Sequence, residues 1–268
     1  MQFLQPESFF DLDLFEHRDL FTKCRFVWEA LGKISGYIEK HLLDNIKEVD
    51  CFQQPLPRTL AIWRGRVWRE GVEPLGGNAT KGAFLVRIQG EETSEAVLLY
   101  AGSVLWDPHI YLGPGCVIEP GALIKGPSII GSNSEVRQGA YVRGKCIVGT
   151  SCVVGHTTEM KSSILLNGAK AGHFAYIGDS ILGALSNLGA GTKLANLKIN
   201  ESNVRIKAGN ESIDTGLRKL GAILADGVEI GCNAVTNPGT LLSKGCKVFP
   251  VTSVRGGYHA PNSVLRPN

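Results

Sequence analysis

The sequence predicts a mostly β protein whose larger part is a parallel β-solenoid, preceded by a helical and then α+β segment. Three observations carry this. Large aliphatic residues recur every six positions at Leu112, Ile118, Ile124, Ile130, Val136, Val142, Val148 and Val154, with Met160 closing the series. Four places after each of the first eight stands a small residue: Cys116, Ala122, Ser128, Ser134, Ala140, Cys146, Cys152 and Thr158. Every offset is even, so in extended chain all of these side chains face one way. On an α-helix a six-residue step turns about 600° and would scatter them over three stripes. A short fixed period whose units bury their apolar face only against the next unit is the mark of a solenoid.

Taken in order, residues 1–50 read as helical. Leu20, Cys24, Val27, Leu31, Ile34, Ile38 and Leu42 fall at three- and four-residue steps behind a capping Asp19. Gly32 and Gly36 each weaken such a helix by about 1 kcal/mol, so a bend or stop is expected there. Pro55 and Pro57 mark a joint, after which 60–69, 82–89 and 96–105 read as strands separated by turn residues. Trp63–Arg64 and Trp68–Arg69 suit a half-buried alternating strand better than a base-stacking surface. Near Tyr100 this section passes into the coil, which divides the chain into 1–99 and 100–268. The repeat resumes at Leu224, Ile230, Thr236, Leu242 and Val248, with Val228, Ala234, Thr240, Cys246 and Thr252 at the small position. The polar stretch 195–220 breaks the period and reads as a loop ejected from the coil.

Composition narrows the function classes. A net charge of +3 over 268 residues argues for neither a nucleic-acid nor a membrane-surface partner. No apolar run has the length of a membrane span. The seven cysteines are odd in number and lack C-x-x-C spacing, and four of them occupy the small inward position. They read as packed thiols of a reducing compartment, so the cytoplasm is the expected location.

Chemistry concentrates around His173, one of six histidines. A lone histidine is more often structural than catalytic, but Glu159, Lys161, Lys170 and Tyr176 are close in sequence, and a coil stacks successive turns. His173 oriented by Glu159 is a candidate general base. Gly189–Ala190–Gly191 offers backbone N–H groups for an oxyanion, or simply makes a coil corner. Arg143, Lys161 and Arg205 form either a phosphate clamp or solvated surface charge.

The runs Thr158–Glu159–Met160–Lys161, 169–179 (AKAGHFAYIGD) and 187–192 (NLGAGT) make the stretch from about 100 to 254 resemble the hexapeptide-repeat acyltransferases. The likeness is to the acetyltransferase half of the bifunctional UDP-N-acetylglucosamine diphosphorylase/glucosamine-1-phosphate N-acetyltransferases. Residues 195–198 and 216–222 are similar to the archaeal-type sugar-1-phosphate nucleotidylyltransferase/acetyltransferases in particular. The resemblance implies a left-handed parallel β-helix with three hexads per turn, and a homotrimer with each site between two subunits. It implies His173 as general base and Glu159 as its orienting partner. Arg143, Lys161, Tyr176 and Asn187 would hold the sugar phosphate. Ala190 and Asn196 would lie along acetyl-CoA, the donor, with Asn196 near the reacting amine. Cys232 stands near the cofactor where bacterial enzymes carry serine. In the ejected loop Ser202 stands where archaeal-type enzymes carry a lysine, and Arg205 where they carry a second.

The expected function is N-acetyl transfer to glucosamine-1-phosphate or a related amino-sugar phosphate, on the route to UDP-N-acetylglucosamine. The first hundred residues lack a G-x-G-T-R nucleotide loop, so a separate uridylyltransferase would complete that route. The chemistry requires no metal, and no H-x-x-x-x-H spacing supports one, unlike the zinc-binding γ-class carbonic anhydrases. Acyl transfer to another sugar nucleotide and a non-catalytic trimeric scaffold are the alternatives, Ser202 favouring the latter.

Overall fold

The computed structural model describes residues 2–43 and 45–267. The mostly β fold expected from the six-residue period is the fold the chain adopts, a parallel solenoid of about nine turns. Short strands stack into three walls: an 11-stranded sheet that includes Val117–Ile118 and Val153–His156, and two 8-stranded sheets. The second wall carries Glu159–Lys161 and Tyr176–Gly178; the third carries Cys146–Val148 and Ser163–Leu165. All nine large residues of the period, Leu112 to Met160, point inward and are fully buried, and the eight small ones fill the corners beside them. Buried side chains of this size each contribute roughly 1.5–3 kcal/mol, and stacking is what removes them from water.

The register shows where the period slips. Val117, Glu135 and Val153 are successive partners, 18 residues apart. From Val153 the partners are Lys170 and then Asn187, 17 apart. The lost residue lies at a corner of the second wall: Val142 to Cys146 spans four steps, but Met160 to Ser163 spans three. Ser162 turns that shortened corner at φ +46, and Asp179 turns the one stacked on it at the same φ. The coil then opens once. After Lys193–Leu194 the chain leaves, makes the antiparallel hairpin Arg205–Ala208 with Glu211–Asp214, and rejoins the third wall at Ala222–Leu224.

The N-terminal segment differs from its sequence reading. Among its described residues only Glu29–His41 is a long α-helix, and it runs unbroken through Gly32 and Gly36. Residues 18–21 form a 3-10 turn, and Lys23 at φ +60 stops any continuous helix from Leu20. The apolar spacing there instead feeds an aromatic cluster of Phe9, Phe10, Phe15, Phe21 and Trp28, contiguous with the coil's core. Residues 60–69 form a hairpin, not one strand. Arg64 and Gly65, both at positive φ, turn Leu60–Trp63 back onto Arg66–Trp68, the two-residue turn that hairpin twist favours.

This segment also covers the open edges at the start of the coil, which would otherwise template aggregation. Leu60–Trp63 pairs antiparallel with Val97–Leu99 on the first wall. The Gln53 N–H donates to the Leu105 carbonyl on the second, at 2.9 Å. On the third, the Asn45 side chain bonds both the N–H and the carbonyl of Leu112. A three-stranded meander, Val72–Gly76, Leu85–Ile88 and Glu91–Thr93, projects alongside.

Candidate active site

The expected residues fall into two groups on adjoining walls, with Arg205 apart from both. The first group follows from the shortened corners. Because Ser162 and Asp179 stack, the Asp179 N–H reaches the Lys161 carbonyl at 3.1 Å, and the Lys161 ammonium meets the Asp179 carboxylate at 2.9 Å. Both side chains are only 17% exposed. The Asn196 amide also donates to Asp179, and the Tyr176 hydroxyl donates to the Asn196 carbonyl oxygen at 3.4 Å. Burial is the main cause that raises the Tyr176 hydroxyl's pKa above its ordinary value, so it stays a donor near neutrality. Glu159, directly below Tyr176 in the wall, is taken by Arg143 at 2.7 Å. That bond to Glu159 in turn raises the pKa of the guanidinium. Asn196 is positioned by the excursion itself: it stands at the exit, where its carbonyl accepts from Leu220 on the returning chain.

The second group surrounds a pocket of about 380 Å³ on the first wall, lined by His173, Asn187, Ala190 and Cys232 together with Lys170 and Arg137. His173 ends the strand Lys170–His173, stacked on His156 and followed by the half-exposed Phe174. Its ring is exposed and, among the described residues, forms no hydrogen bond or ion pair. Asn187 donates to Glu229 at 3.1 Å.

Three sequence expectations change here. Glu159 makes no hydrogen bond to His173 within the chain: it stacks under Tyr176 on the second wall, and its carboxylate is engaged by Arg143. Arg205 lies in the hairpin of the excursion, bonded to Asp214 and Ser212 in a different cleft, and does not join Arg143 and Lys161. The N–H groups of Gly189 and Gly191 are consumed by the Ile230 and His173 carbonyls. Ala190 N–H is the one of the three with no partner among the described residues.

Sequence reasoning passed over Asp179, Asn78 and Thr80, and gave Lys170 no role. Asp179 carried a signal, standing 18 residues after Lys161, within one residue of a turn of the coil. Asn78 and Thr80 line the histidine pocket from the meander, and no local pattern links that loop to the coil. Among the described residues no group of three or more His, Cys, Asp or Glu side chains is placed to hold a metal, and no helix is long and apolar enough to cross a membrane.

Residues 124–215 match the family described as the GMPPB C-terminal domain. A bifunctional sugar-1-phosphate nucleotidylyltransferase/acetyltransferase of Sulfurisphaera tokodaii is 35% identical over 94 residues, which is 35% of this chain and 23% of that protein. The bifunctional protein GlmU of Methanocaldococcus jannaschii is 33% identical over 91 residues, 34% of this chain and 22% of that protein. The chain thus spans under a quarter of the length of these curated relatives. Among solved structures, a variant of perosamine N-acetyltransferase from Caulobacter crescentus, in complex with CoA and GDP-perosamine, is 26% identical, with a TM-score of 0.36 over 38% of this chain and 49% of that one. Over about a third of its length, this chain is similar to the bifunctional sugar-1-phosphate nucleotidylyltransferase/acetyltransferases, and residues 124–215, which match a family of their own, run through its repeat coil and into the excursion.

Proposed function

We propose that this chain is an N-acetyltransferase taking acetyl from acetyl-CoA to the amine of glucosamine-1-phosphate or a related amino-sugar phosphate. The observation that carries the reading is His173, exposed and unpartnered, in a pocket shared with Asn187, Ala190 and Cys232. A sugar amine is largely protonated near neutral pH, so a base must free its lone pair before it attacks the thioester. In this reading the ammonium gives its first proton to solvent, and His173 accepts the second from the nitrogen as the C–N bond forms and the thioester carbonyl becomes a tetrahedral oxyanion. Ala190 N–H, left free by the coil's own bonding, is the available backbone donor for that oxygen. Collapse breaks the C–S bond, and the departing CoA thiolate takes the proton from His173.

Arg143, Lys161 and Tyr176 hold the sugar phosphate in this reading, with Asn187 beside them and Asn196 near the amine. Their carboxylate partners, Glu159 and Asp179, keep the two cations in place. A homotrimer would set the wall bearing Arg143 and Lys161 against a neighbouring histidine pocket. Free coenzyme A released from acetyl-CoA and glucosamine-1-phosphate tests the proposal, with His173→Ala as the comparison. Release by the wild type, reduced at least a hundredfold in the variant, supports it; release that persists in the variant, or none with any amino sugar, overturns it.

A further inference from the structure

Both substrates of the proposed reaction carry phosphate, so the chain needs more than one anionic subsite, and this inference rests on that reading. Arg143 and Lys161, which serve one subsite in that reading, are each paired with a carboxylate, Glu159 and Asp179, so a further subsite needs another cation. In the histidine pocket Arg137 is likewise held by Glu135, at 2.7 Å. Lys170 is the exception. It lines the pocket three residues from His173 and, among the described residues, its ammonium has no hydrogen bond or ion pair.

Opposite Lys170 stands a loop that the coil did not need. Residues 77–83 form the tip of the N-terminal meander, and Asn78 and Thr80 line the same pocket. The tip is built rigidly. Gly77 takes φ +127, and a Cβ there would lie 2.0 Å from the Ala83 carbonyl oxygen, so only glycine fits. Ala83 N–H returns to the Asn78 carbonyl at 3.0 Å, and Ala79 is buried beneath. The Asn78 side-chain oxygen accepts from the Thr80 hydroxyl at 2.8 Å and from Lys81 N–H at 3.2 Å. That fixes the orientation of the amide and leaves its two N–H donors without a partner among the described residues.

We infer that Lys170 and the Asn78 amide, facing one pocket from the coil and from the meander tip, form a binding site for a phosphate group of a substrate whose other end reaches His173. A cation and two oriented donors answer a phosphate's negative charge and acceptor oxygens, and no carboxylate competes for Lys170. The meander therefore has a function: it supplies a wall of the site in cis, which makes residues 72–93 a determinant of which phosphate-bearing ligand binds.

The test is equilibrium binding of CoA and, separately, of glucosamine-1-phosphate to the full chain by calorimetry. It compares wild type with Lys170→Gln, Lys170→Arg and Asn78→Ala. Loss of one charge-assisted contact is expected to weaken one ligand by about tenfold in Lys170→Gln, with Lys170→Arg near wild type and Asn78→Ala a few-fold weaker. An effect on CoA assigns the subsite to the donor, and one on glucosamine-1-phosphate assigns it to the acceptor. Both residues are exposed, and an unchanged melting temperature will show that the variants fold. Unchanged affinity for both ligands in both charge- and amide-removing variants overturns the inference, as does a wild type that binds neither. Binding that behaves as expected without any acetyl transfer would sink the proposed reaction and leave this subsite standing.

Discussion

The Lys161–Asp179 pair gives the most quantitative test of the site's construction. Asp179→Asn keeps the shape of the side chain and one acceptor oxygen while removing its charge. An ion pair in open solvent is worth about 0–1 kcal/mol, and breaking a fully buried one costs about 3–5 kcal/mol. At 17% exposure for each side chain this pair lies between those limits, and it shares Asp179 with the Asn196 amide. The expected loss is therefore about 1–3 kcal/mol, a melting temperature lower by ~3–8 °C for a chain of this size. The assay is a double-mutant cycle of Asp179→Asn and Lys161→Met, by denaturant unfolding at one fixed protein concentration. A coupling energy of about 1 kcal/mol or more is expected. A coupling within ~0.3 kcal/mol of zero would refute the reasoning, because the two shortened corners would then not be holding a functional pair together.

Thr236, inward on the second wall, buries its hydroxyl with no partner among the described residues, so Thr236→Val is expected to stabilise by about 1 kcal/mol in denaturant unfolding; a loss of stability would show a bond that the fold conceals. Gly155→Ala places a methyl 1.9 Å from the Gly172 carbonyl oxygen, next to His173. It should cost about 1–3 kcal/mol and reduce coenzyme A release as the strand is displaced, whereas a wild-type melting curve would contradict the close approach. Burial pushes the thiols of Cys116, Cys146 and Cys152 up to about 12 from 9.0, which leaves roughly a thousandfold less thiolate near neutral pH. Iodoacetamide followed by peptide mapping should mark exposed Cys232 while these three stay unlabelled until unfolding; fast labelling of any of the three would overturn the inward packing.

What could be read from the chain follows the reach of each interaction along it. The walls were legible because a hexad places its own large and small residues: Val136 and Ala140 point inward for reasons contained in six residues and their repetition. Pairs about one turn apart were legible in principle once the turn is known, since His156 and His173 stand 17 apart, and Lys161 and Asp179 one residue more. Glu159 and His173 are 14 apart, short of a full turn, so stacking alone does not make them neighbours, and Glu159 instead meets Arg143. The period was lost after Met160 because one residue is missing from each of two corners, and those corners build the Lys161–Asp179–Asn196 cluster. The break in the pattern and the polar cluster are therefore one event. The helix expected from Leu20 failed for the opposite reason: its apolar spacing was genuine, but tertiary packing of the phenylalanine cluster outweighed helical propensity. The approach of Asn78 to Lys170 closes a loop of more than ninety residues, and neither segment carries any sign of the other. Proximity of that kind is visible only in the folded chain.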